Sequence, residues 1–428
     1  MRTLTKDVPN KIGEYVNVQG YVDSVRKLGQ IAFVQIRDRT GIIQTVVNDI
    51  NSISGLKKHD VISLEGSIRE ESQSKSSGVE IALDNFKILS SPKDTYPVSM
   101  NPNTNEKIDH ILNYRPVSLR NKKILDIFKV QQTIAQSFRD YLLMEGFTEI
   151  FTPKIVSQGA EGGATVFKLD YFGNTAFLAQ SPQLYKQIMV ASGFERVFEV
   201  GHCYRAEKHN TVRHLNEYVG LDLEMGFIDS FHDVMDLEEN VLRYITNTVI
   251  EKHRSILEEY RVSMPAFDKI PRIPLDEMKD ILASKYGKKF TEEVDIDPEG
   301  EKLASKYAKE IYGSDLIFLT KYPISARPFY TMPSKDEGLT ESFDLLMNGL
   351  EITSGGQRIH DYDQLVDSML RNKMDPKNFE GYLMAFKYGM PPHGGLGIGA
   401  ERITARFLNL NSAREASLFP RDRGRYTP

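Results

Sequence analysis

Cysteine is almost absent from this chain, because its 428 residues contain a single one, Cys203. One cysteine excludes an internal disulfide and a cysteine-rich metal site, and it is typical of proteins from a reducing compartment. No uninterrupted apolar run approaches the length that crosses a bilayer, and the first residues, MRTLTKDVPNKIGEY, lack the apolar core of a secretory signal. We therefore expect a cytoplasmic protein without a membrane partner.

A surplus of positive charge is also missing, since the formal net charge is −5. A polyanionic partner would have to be held by local clusters of arginine and lysine rather than by a basic surface. Hydrophobic residues make up 40% of the chain and charged residues 26%, which is ordinary for a globular protein. A chain of this length is too long for one hydrophobic core, so two or three domains are expected.

Five short segments rich in valine and isoleucine occupy residues 1–90, with turn residues between them. Five strands in so short a span fit an OB-type β-barrel, although a β-sandwich or an SH3-like barrel would give a similar pattern. The segments are EYVNVQGYVDSVR, IAFVQIRD, GIIQTVVND, DVISLEGSIRE and GVEIALDNFKILS. Residues 91–116 are rich in proline, asparagine and serine and have no apolar period, which predicts a hinge or linker.

The pattern becomes helical after the linker, where Val130, Ile134 and Phe138 recur on one helix face. Gly146 is expected to end this helix, and FTEIFTPKIV reads as a strand broken at Pro153. Strand-like and helical segments then alternate to the end of the chain. This pattern predicts an α+β domain over residues 117–428, with a mainly antiparallel sheet flanked by helices.

Three separate segments of this second domain combine glycine, arginine and carboxylate side chains. RAEKHNTVRHLNEYVGLDLEMGF begins at Arg205, EITSGGQRIHDYD begins at Glu351, and GMPPHGGLGIGAERITARFL leads into a helix near Glu401. Glycine lets the backbone approach a ligand closely, and the planar fork of arginine binds carboxylate or phosphate. Each segment alone could be a solvated hairpin tip or a tight turn. Together they indicate a site for an anionic small molecule.

These segments resemble the signature motifs of class II aminoacyl-tRNA synthetases. The long helix that leads to FTEIFTPKI resembles motif 1, YRAEKHNTVRHLNEYVGLDLEM resembles motif 2, and GLGIGAERI resembles motif 3. The barrel is similar to the N-terminal OB-fold anticodon-binding domain of class IIb. Within that subgroup, AEGGATVF, QSPQLYKQ, SGGQR and FPRDRGRYTP are similar to the aspartyl-tRNA synthetases of the archaeal and eukaryotic type.

The resemblance covers nearly the whole chain and implies an activity. Such an enzyme activates L-aspartate with ATP, which gives aspartyl-adenylate and pyrophosphate, and transfers aspartate to the 3′ end of tRNA(Asp). The substrate carboxylate is itself the nucleophile, so catalysis depends on positioning and charge stabilisation. The resemblance further implies Mg²⁺ as the cofactor of ATP, and a homodimer with Pro153 near its two-fold axis.

The resemblance also assigns roles to single residues, with Arg205 and Arg402 as the catalytic ones. The residues implied to bind aspartate are Glu161, Gln183, Leu184, Tyr185, Lys186, Arg205, Asp222, Ser354 and Arg358. Those implied to bind ATP are Arg205, Ala206, Glu207, Arg213, His214, Leu215, Glu351, Gly399, Ala400, Glu401 and Arg402. Two cations, Lys186 and Arg358, around one side-chain carboxylate would explain why neutral asparagine is refused.

The implied metal ligands are Asp344, Glu351 and Ser354, which offer the oxygen atoms that Mg²⁺ prefers. The implied anticodon contacts on the barrel are Asp23, Arg26, Phe33, Gln44 and Asn85. An aromatic ring such as that of Phe33 suits stacking on an unpaired base, and the Gln44 amide can read a base edge. On Phe33 alone, packing in the barrel core is the simpler interpretation.

Four alternatives remain open. An asparaginyl-tRNA synthetase shares the fold, a tRNA-independent asparagine synthetase would lack the barrel, and a non-catalytic paralogue would have lost Arg205, Glu351 or Arg402. An enzyme of relaxed specificity would charge tRNA(Asn) as well as tRNA(Asp). The two anticodons differ at the third letter, C against U, and Asp23 can accept a hydrogen bond from the amino group of C but not from U. This favours an enzyme strict for tRNA(Asp).

Overall fold

The chain forms two compact units, Met1–Pro97 and Val98–Pro428. The structure is a computed structural model, and it describes residues 1–71, 78–159, 165–207, 211, 213–290 and 294–427. No helix in these ranges is long and apolar enough to cross a membrane.

The unit boundary differs from the predicted linker, because residues 98–116 belong to the second unit. The Asn121 side chain donates hydrogen bonds to the carbonyl oxygens of Ser99 and Asn101, each at 3.2 Å. The buried Arg115 guanidinium donates to the carbonyl oxygen of Leu418 at 2.8 Å. Polar bonds therefore fix this segment, and a search for apolar periodicity does not detect such bonds.

The first unit is a closed β-barrel, as the five-strand pattern predicts. Its strands are β1 Arg2–Thr3, β2 Tyr15–Leu28, β3 Ile31–Arg37, β4 Ile42–Val47, β5 Val61–Glu70 and β6 Val79–Ser90. They pair in the order β1-β2-β3-β4-β6-β5, and β5 also pairs with β2, which closes the barrel. Along β3, Ala32, Val34 and Ile36 are buried while the residues between them face outward.

The second unit contains an α+β arrangement. Its helices are α1 Ile108–Asn113, α2 Arg115–Ser118, α3 Lys122–Met144, α4 Gln183–Met189, α5 Phe231–Glu259, α6 Leu275–Tyr286, α7 Pro298–Tyr312, α8 Tyr362–Arg371, α9 Glu380–Lys387 and α10 Ala400–Phe407. Its strands are β7 Thr148–Glu149, β8 Ile155–Val156, β9 Lys168–Tyr171, β10 Asn174–Leu178, β11 Arg196–Tyr204, β12 Glu217–Gly226, β13 Arg272–Pro274, β14 Leu316–Thr320, β15 Ser342–Met347, β16 Leu350–Arg358 and β17 His393–Gly399.

An eight-stranded sheet in the order β13-β14-β15-β16-β17-β12-β11-β7 organises this unit. Its interior pairs are antiparallel, which confirms the prediction, and the two edge pairs are parallel. The β15–β16 hairpin turns at Asn348 and Gly349, whose φ angles are 48° and 78°. Asn-Gly is the dipeptide that a tight hairpin favours, because both residues tolerate positive φ.

The helices α3, α5 and α10 cover one face of this sheet. The predicted face of α3 is confirmed, since Val130, Ile134 and Phe138 are fully buried in the shared core. On β12, Leu221 and Leu223 point into that core. Side chains alternate across a strand, so the intervening polar residues of β12 face the opposite side. That opposite side carries the candidate site.

Glu238 of α5 is a fully buried carboxylic acid on the helical side of the sheet. Burial raises its pKa to about 8, the negative charge of Asp344 adds to the shift, and the Thr353 hydroxyl opposes it. Between the ordinary carboxyl pKa and pH 8, the unfolded chain is ionised at this position while the folded chain is protonated. The folded state then binds the extra proton, so stability falls as pH rises through this window.

We expect Glu238→Gln to remove this pH dependence. The difference in the free energy of unfolding, variant minus parent, should increase with pH between pH 5 and 8, by up to about 1.4 kcal/mol per pH unit. Denaturant titrations at several pH values measure the difference. Glu251→Gln, an exposed change on the same helix, is the control and should leave the difference flat. A flat difference for Glu238→Gln as well would contradict the burial argument.

Candidate active site

A cavity of about 420 Å³ opens on the polar side of the sheet. Predicted site residues that line it are Gln183, Arg205, Glu207, Arg213, His214, Leu215, Asp222, Asp344, Glu351, Ser354, Arg358, Gly399, Glu401 and Arg402. They come from the three polar segments, from the start of α4 and, for Asp344, from β15, and the sheet brings them together. The structure thus gathers these side chains in one place, and their individual roles remain predictions.

Other predicted residues lie outside the lining of this cavity. Leu184 packs against the apolar cluster of α8 and α9, and Ala400 is buried in the core beneath the sheet. Tyr185 lies on α4, two residues after Gln183. Successive side chains rotate by about 100° around a helix axis, so Tyr185 points in a different direction from the cavity-lining Gln183. Ala206 donates its backbone N–H to the Thr165 carbonyl at 2.9 Å. Glu161 lies outside the described residues.

Glu224 of β12 is fully buried behind the residues that line one end of the cavity, and sequence reasoning missed it. Its carboxylate accepts hydrogen bonds from Arg358 Nε at 3.0 Å and from Gln183 Nε2 at 3.1 Å. Arg358 also donates to Gln183 Oε1 at 3.2 Å. Burial alone would raise the pKa of Glu224, but the charges of Arg358 and Lys186 hold it below its ordinary value. The carboxylate is therefore ionised and fixes the Arg358 guanidinium.

Lys186 lies behind the cavity wall rather than in it. The side chain is fully buried, and Nζ donates to Asp222 Oδ1 at 3.0 Å and to the carbonyl oxygens of Leu223 at 3.2 Å and Leu396 at 3.1 Å. These three acceptors use all the donors of an ammonium group. Direct contact with a ligand, as predicted, would require one acceptor to release Nζ. In this arrangement Lys186 holds the cavity-lining Asp222 in place.

Glycines on β17 make room for these carboxylates. Gly395 pairs with Glu224, and a Cβ at this position would lie 2.2 Å from Glu224 Oε2 and 2.2 Å from the Leu223 carbonyl oxygen. Gly397 faces Asp222, where a Cβ would lie 3.0 Å from Oδ1. In the sequence, glycine occupies every second position of GLGIG, and an acidic residue occupies every second position of LDLE on the paired strand. This matching pattern is the signal that could have revealed Glu224.

His393 supports the same end of the cavity from behind. Burial lowers its pKa to about 4, so the ring is neutral at physiological pH. Its Nδ1 lies 2.9 Å from the Pro391 carbonyl oxygen and its Nε2 lies 2.9 Å from Gln187 Nε2. The carbonyl can only accept, so Nδ1 carries the proton and Nε2 accepts from Gln187. Tyr382 completes the chain by donating to Gln187 Oε1 at 2.9 Å.

The three predicted metal ligands meet on β15 and β16, where Asp344 and Ser354 are paired in register. Asp344 Oδ1 is buried without a hydrogen-bond partner among the residues that the structure describes. No group of three His, Cys, Asp or Glu side chains in those ranges could hold a metal ion. Two carboxylates and a hydroxyl still suit Mg²⁺, which completes its shell with water and phosphate oxygens. The residues therefore fit a metal that arrives with a phosphate ligand.

Arginines neutralise the acidic groups of this region. Arg327, which sequence reasoning missed, lies 2.9 Å from Asp344 Oδ2, and Arg402 Nη1 lies 3.3 Å from Glu351 Oε1. Burial raises the pKa of Glu351, the Arg402 charge lowers it, and the Asp344 charge adds to the increase, so the net shift is upward. The cavity therefore holds its opposite charges in pairs.

A third pair fixes the segment of the second motif. Both Nη atoms of Arg213 donate to the buried Glu301 of α7, at 2.8 and 2.5 Å. Sequence reasoning missed Glu301, which lies 88 residues away on a different element. Nearby, Glu401 accepts from the Val219 backbone N–H, and burial raises the pKa of Glu401 to about 7. Arg205 lies over the Tyr218 ring at 5.8 Å.

The predicted anticodon contacts lie in the first unit. Phe33 is half-buried on the outward side of β3 and pairs with the exposed Arg26 of β2. Asp23 occupies a bulge in β2, and its Oδ1 lies 3.5 Å from Arg37 Nε. Gln44 donates to Glu80 Oε2 at 3.2 Å. An outward ring beside a cation suits base stacking better than core packing.

The remaining predicted residues lie at exposed positions. Asn85 is exposed on β6, where it pairs with Glu65 of β5. Pro153 is exposed between β7 and β8, beside Phe151, whose surface is 85% accessible. Both side chains are therefore accessible to a partner surface.

Comparison with known proteins gives consistent results for both units. A family described as class II tRNA synthetases (D, K and N) matches residues 107–423, and an OB-fold nucleic acid binding domain matches residues 16–89. The aspartate–tRNA(Asp/Asn) ligase of Deinococcus radiodurans is 46% identical over 100% of this chain and 99% of its own length. The aspartate–tRNA(Asp) ligase of Pyrococcus abyssi is 44% identical over 97% of both chains.

Solved structures show the same likeness. The asparaginyl-tRNA synthetase of Pyrococcus horikoshii, complexed with asparaginyl-adenylate, has a TM-score of 0.93 and 32% identity and covers 100% of both chains. The aspartyl-tRNA synthetase of Entamoeba histolytica has a TM-score of 0.87 and 28% identity, over 100% of this chain and 93% of its own.

The packing of Glu224 against β17 leads to a test. Gly395→Ala places a methyl group against the Glu224 carboxylate and the backbone, so we expect the free energy of unfolding to fall by ~1–3 kcal/mol. Gly381→Ala is the matched control, since Gly381 lies in α9 with open space around its Cβ position. Alanine favours a helix, so the control should keep or raise stability. Denaturant unfolding measures both, and an equal effect of the two changes would contradict the close approach.

Proposed function

We propose a function from the premise that this chain belongs to the class II tRNA synthetases (D, K and N), whose family match covers residues 107–423. The chain is an aspartate–tRNA ligase: it activates L-aspartate with ATP and transfers the aspartyl group to the 3′ end of tRNA. Relatives named aspartate–tRNA ligases, 41–46% identical over nearly the full length, support this assignment. The observation that carries it is the guanidinium of Arg358, held in the cavity by the buried Glu224.

Aspartate binding follows from the charges at this end of the cavity. The fork of Arg358 binds the side-chain carboxylate, because a planar guanidinium matches a carboxylate in two hydrogen bonds. Asp222 and Gln183 receive the substrate ammonium, and Lys186 holds the Asp222 carboxylate at 3.0 Å. The neutral amide of asparagine would offer donors where Arg358 needs acceptors, so the pocket prefers aspartate.

The adenylation step needs alignment and charge neutralisation. The α-carboxylate of aspartate attacks the α-phosphorus of ATP, the α–β phosphoanhydride bond breaks, and pyrophosphate leaves. Arg205 contacts the α-phosphate and the attacking carboxylate, so it stabilises negative charge as the new bond forms. The 3′-terminal hydroxyl of tRNA then attacks the aspartyl carbonyl, and AMP departs.

Nucleotide binding involves the second and third motifs. Glu207 contacts the adenine, Arg213 and Arg402 lie beside the adenine and phosphates, and Gly399 and Glu401 shape the floor of the cavity. Asp344, Glu351 and Ser354 would hold Mg²⁺, which supplies positive charge at the ATP phosphates. The protein itself orients the two substrates through fixed arginines.

The barrel contacts the anticodon of the tRNA, and the catalytic unit contacts a second copy of the chain. Phe33, Arg26 and Gln44 lie on neighbouring outward positions of β2, β3 and β4 and stack on or read anticodon bases. The chain is a homodimer whose interface includes Pro153 and Phe151, and an isologous interface of this kind repeats the same patch on both subunits. A cytoplasmic location agrees with the single cysteine.

An asparaginyl-tRNA synthetase is the second candidate, because a solved structure with that name matches at a TM-score of 0.93. The sequence relatives of higher identity favour aspartate. A non-catalytic paralogue is not supported, since Arg205, Glu351 and Arg402 all line the cavity.

ATP–pyrophosphate exchange with each of the twenty amino acids tests the assignment, and aspartate should give the main signal. Arg358→Leu should reduce aspartate-dependent exchange by about 30-fold or more, since loss of one partner of a buried charge pair costs ~2–5 kcal/mol. Lys186→Met should act in the same direction by releasing Asp222. Arg371→Leu, an exposed change on α8, is the control. Exchange that depends on asparagine, or near-parental activity of Arg358→Leu, would overturn the pocket assignment.

We further propose that the enzyme charges tRNA(Asp) and excludes tRNA(Asn). Asp23 meets an amino donor on C and an acceptor on U at the third anticodon letter. Some relatives are named for both tRNAs and others for tRNA(Asp) alone, so the barrel of this chain must decide. Charging of in-vitro transcripts should favour tRNA(Asp), and a C-to-U change at its third anticodon position should lower the rate. Comparable aspartylation of both tRNAs would refute the exclusion.

A further inference from the structure

Arg327 spans two of the proposed metal ligands. It follows the 3₁₀ turn Ile324–Ala326, and its Nη2 lies 2.9 Å from Asp344 Oδ2 while its Nη1 donates to Ser354 Oγ at 3.0 Å. One guanidinium therefore contacts two of the oxygen atoms that could coordinate a divalent cation, and it leaves Asp344 Oδ1 without a partner among the described residues. A divalent cation bound to Asp344 and Ser354 would lie beside the positive charge of Arg327, which opposes its binding.

The surroundings hold Arg327 in this position. Its guanidinium carbon lies 3.7 Å from the centroid of the buried Tyr322 ring, and its side chain is 10% exposed. Burial by itself would lower the pKa of Arg327, but the Asp344 charge raises it above its ordinary value. A stacked, ion-paired and permanently charged group is a fixed part of the cavity wall rather than a surface side chain that happens to lie nearby.

The charge pattern of the cavity explains why a cation is needed here. Asp344, Glu351, Asp295 and Glu301 are close enough to affect one another: burial raises the pKa of Asp295, and the Asp344 and Glu301 charges add to the increase. Arg402 pairs with Glu351 and Arg213 pairs with Glu301. Without Arg327, the carboxylate of Asp344 would be left uncompensated in a buried site, which is costly.

We propose that Arg327 is a resident counter-ion that competes with the divalent cation for Asp344 and Ser354 until the phosphates of ATP arrive. The proposal rests on the metal role of these two residues in the proposed function. A phosphate chain supplies oxygen ligands to the metal and a new acceptor to the guanidinium, so both cations gain partners together. Free metal ions, which bring no acceptor for Arg327, bind weakly. The nucleotide and its metal thus enter as a unit.

Binding of Mn²⁺ to the nucleotide-free protein tests this competition, with the free ion followed by electron paramagnetic resonance. Arg327→Met should tighten Mn²⁺ binding by at least about fivefold, because it removes a positive charge from the ligands themselves. The control is Lys321→Met, at a position six residues before Arg327. It removes a cation that pairs with the Asp336 and Glu341 side chains. That change should leave the dissociation constant within about twofold.

Two further variants test whether the change in Mn²⁺ affinity comes from the charge of Arg327 and occurs at Asp344. Arg327→Lys keeps the charge, but its single ammonium lacks the fork that spans both ligands, so its Mn²⁺ affinity should fall between those of the parent and Arg327→Met. It also provides the comparison if Arg327→Met fails to fold. In Arg327→Met combined with Asp344→Asn, the tighter binding should disappear.

An unchanged or weaker Mn²⁺ affinity in Arg327→Met, or in Arg327→Lys where it serves as the comparison, would overturn the proposal. Tightening that survives Asp344→Asn would overturn it too, since the ion would then bind elsewhere. A nonhydrolysable ATP analogue should reduce the difference in Mn²⁺ affinity between the parent and Arg327→Met. A difference that persists with the analogue would argue against the transfer of Arg327 from Asp344 to a phosphate. Aspartate-dependent exchange by the parent is measured separately, so failure of the enzymatic assignment would show there and not in the metal titration.

Discussion

The buried Glu224 carboxylate is the charge on which the amino-acid end of the cavity depends. It accepts from Arg358 and Gln183 and attracts Lys186 at 3.6 Å. A buried anion is unfavourable unless cations and hydrogen bonds surround it, so Glu224 requires these groups as much as they require it. Gly395 follows from the same constraint, because a side chain there would occupy the space of the carboxylate. One ionised group therefore requires a glycine on the neighbouring strand and fixes the direction of Arg358, which lines the cavity.

The nucleotide end follows a different physical rule. Its arginines and carboxylates are paired with one another in advance: Arg213 with Glu301, Arg402 with Glu351, and Arg327 with Asp344. Such pairs keep a dense set of charges stable without ligand and hold each arginine near its working position. In the proposed function, nucleotide binding exchanges these partners, so that the arginines pair with phosphates and the carboxylates with the metal. Preorganisation of this kind replaces the reorganisation of water that the reaction would need in solution.

Local features of the structure could be predicted well from the sequence. The five barrel strands, the buried face of α3 and the Gly146 terminus follow from apolar spacing and glycine, which depend on near neighbours in the chain. The gathering of Arg205, Glu351 and Arg402 followed from resemblance to a family. Glu301, Arg327 and the folding of residues 98–116 onto the second unit could not be predicted, because each depends on partners far away in sequence. Glu224 lies between these cases, since its alternation with Asp222 and the glycines of β17 was visible but its buried partners were not.

Specificity in this fold must therefore come from few atoms. An asparaginyl-tRNA synthetase aligns with this chain at a TM-score of 0.93 over 100% of both chains, so backbone shape alone does not separate the two amino acids. Aspartate and asparagine have nearly the same volume and differ in charge and in donors at one end. A site can distinguish them by the orientation of fixed polar groups, because an amide presented to a guanidinium leaves buried donors unpaired. Glu224 and Gln183 fix the position of Arg358 through hydrogen bonds, and in the proposed function this guanidinium makes that distinction.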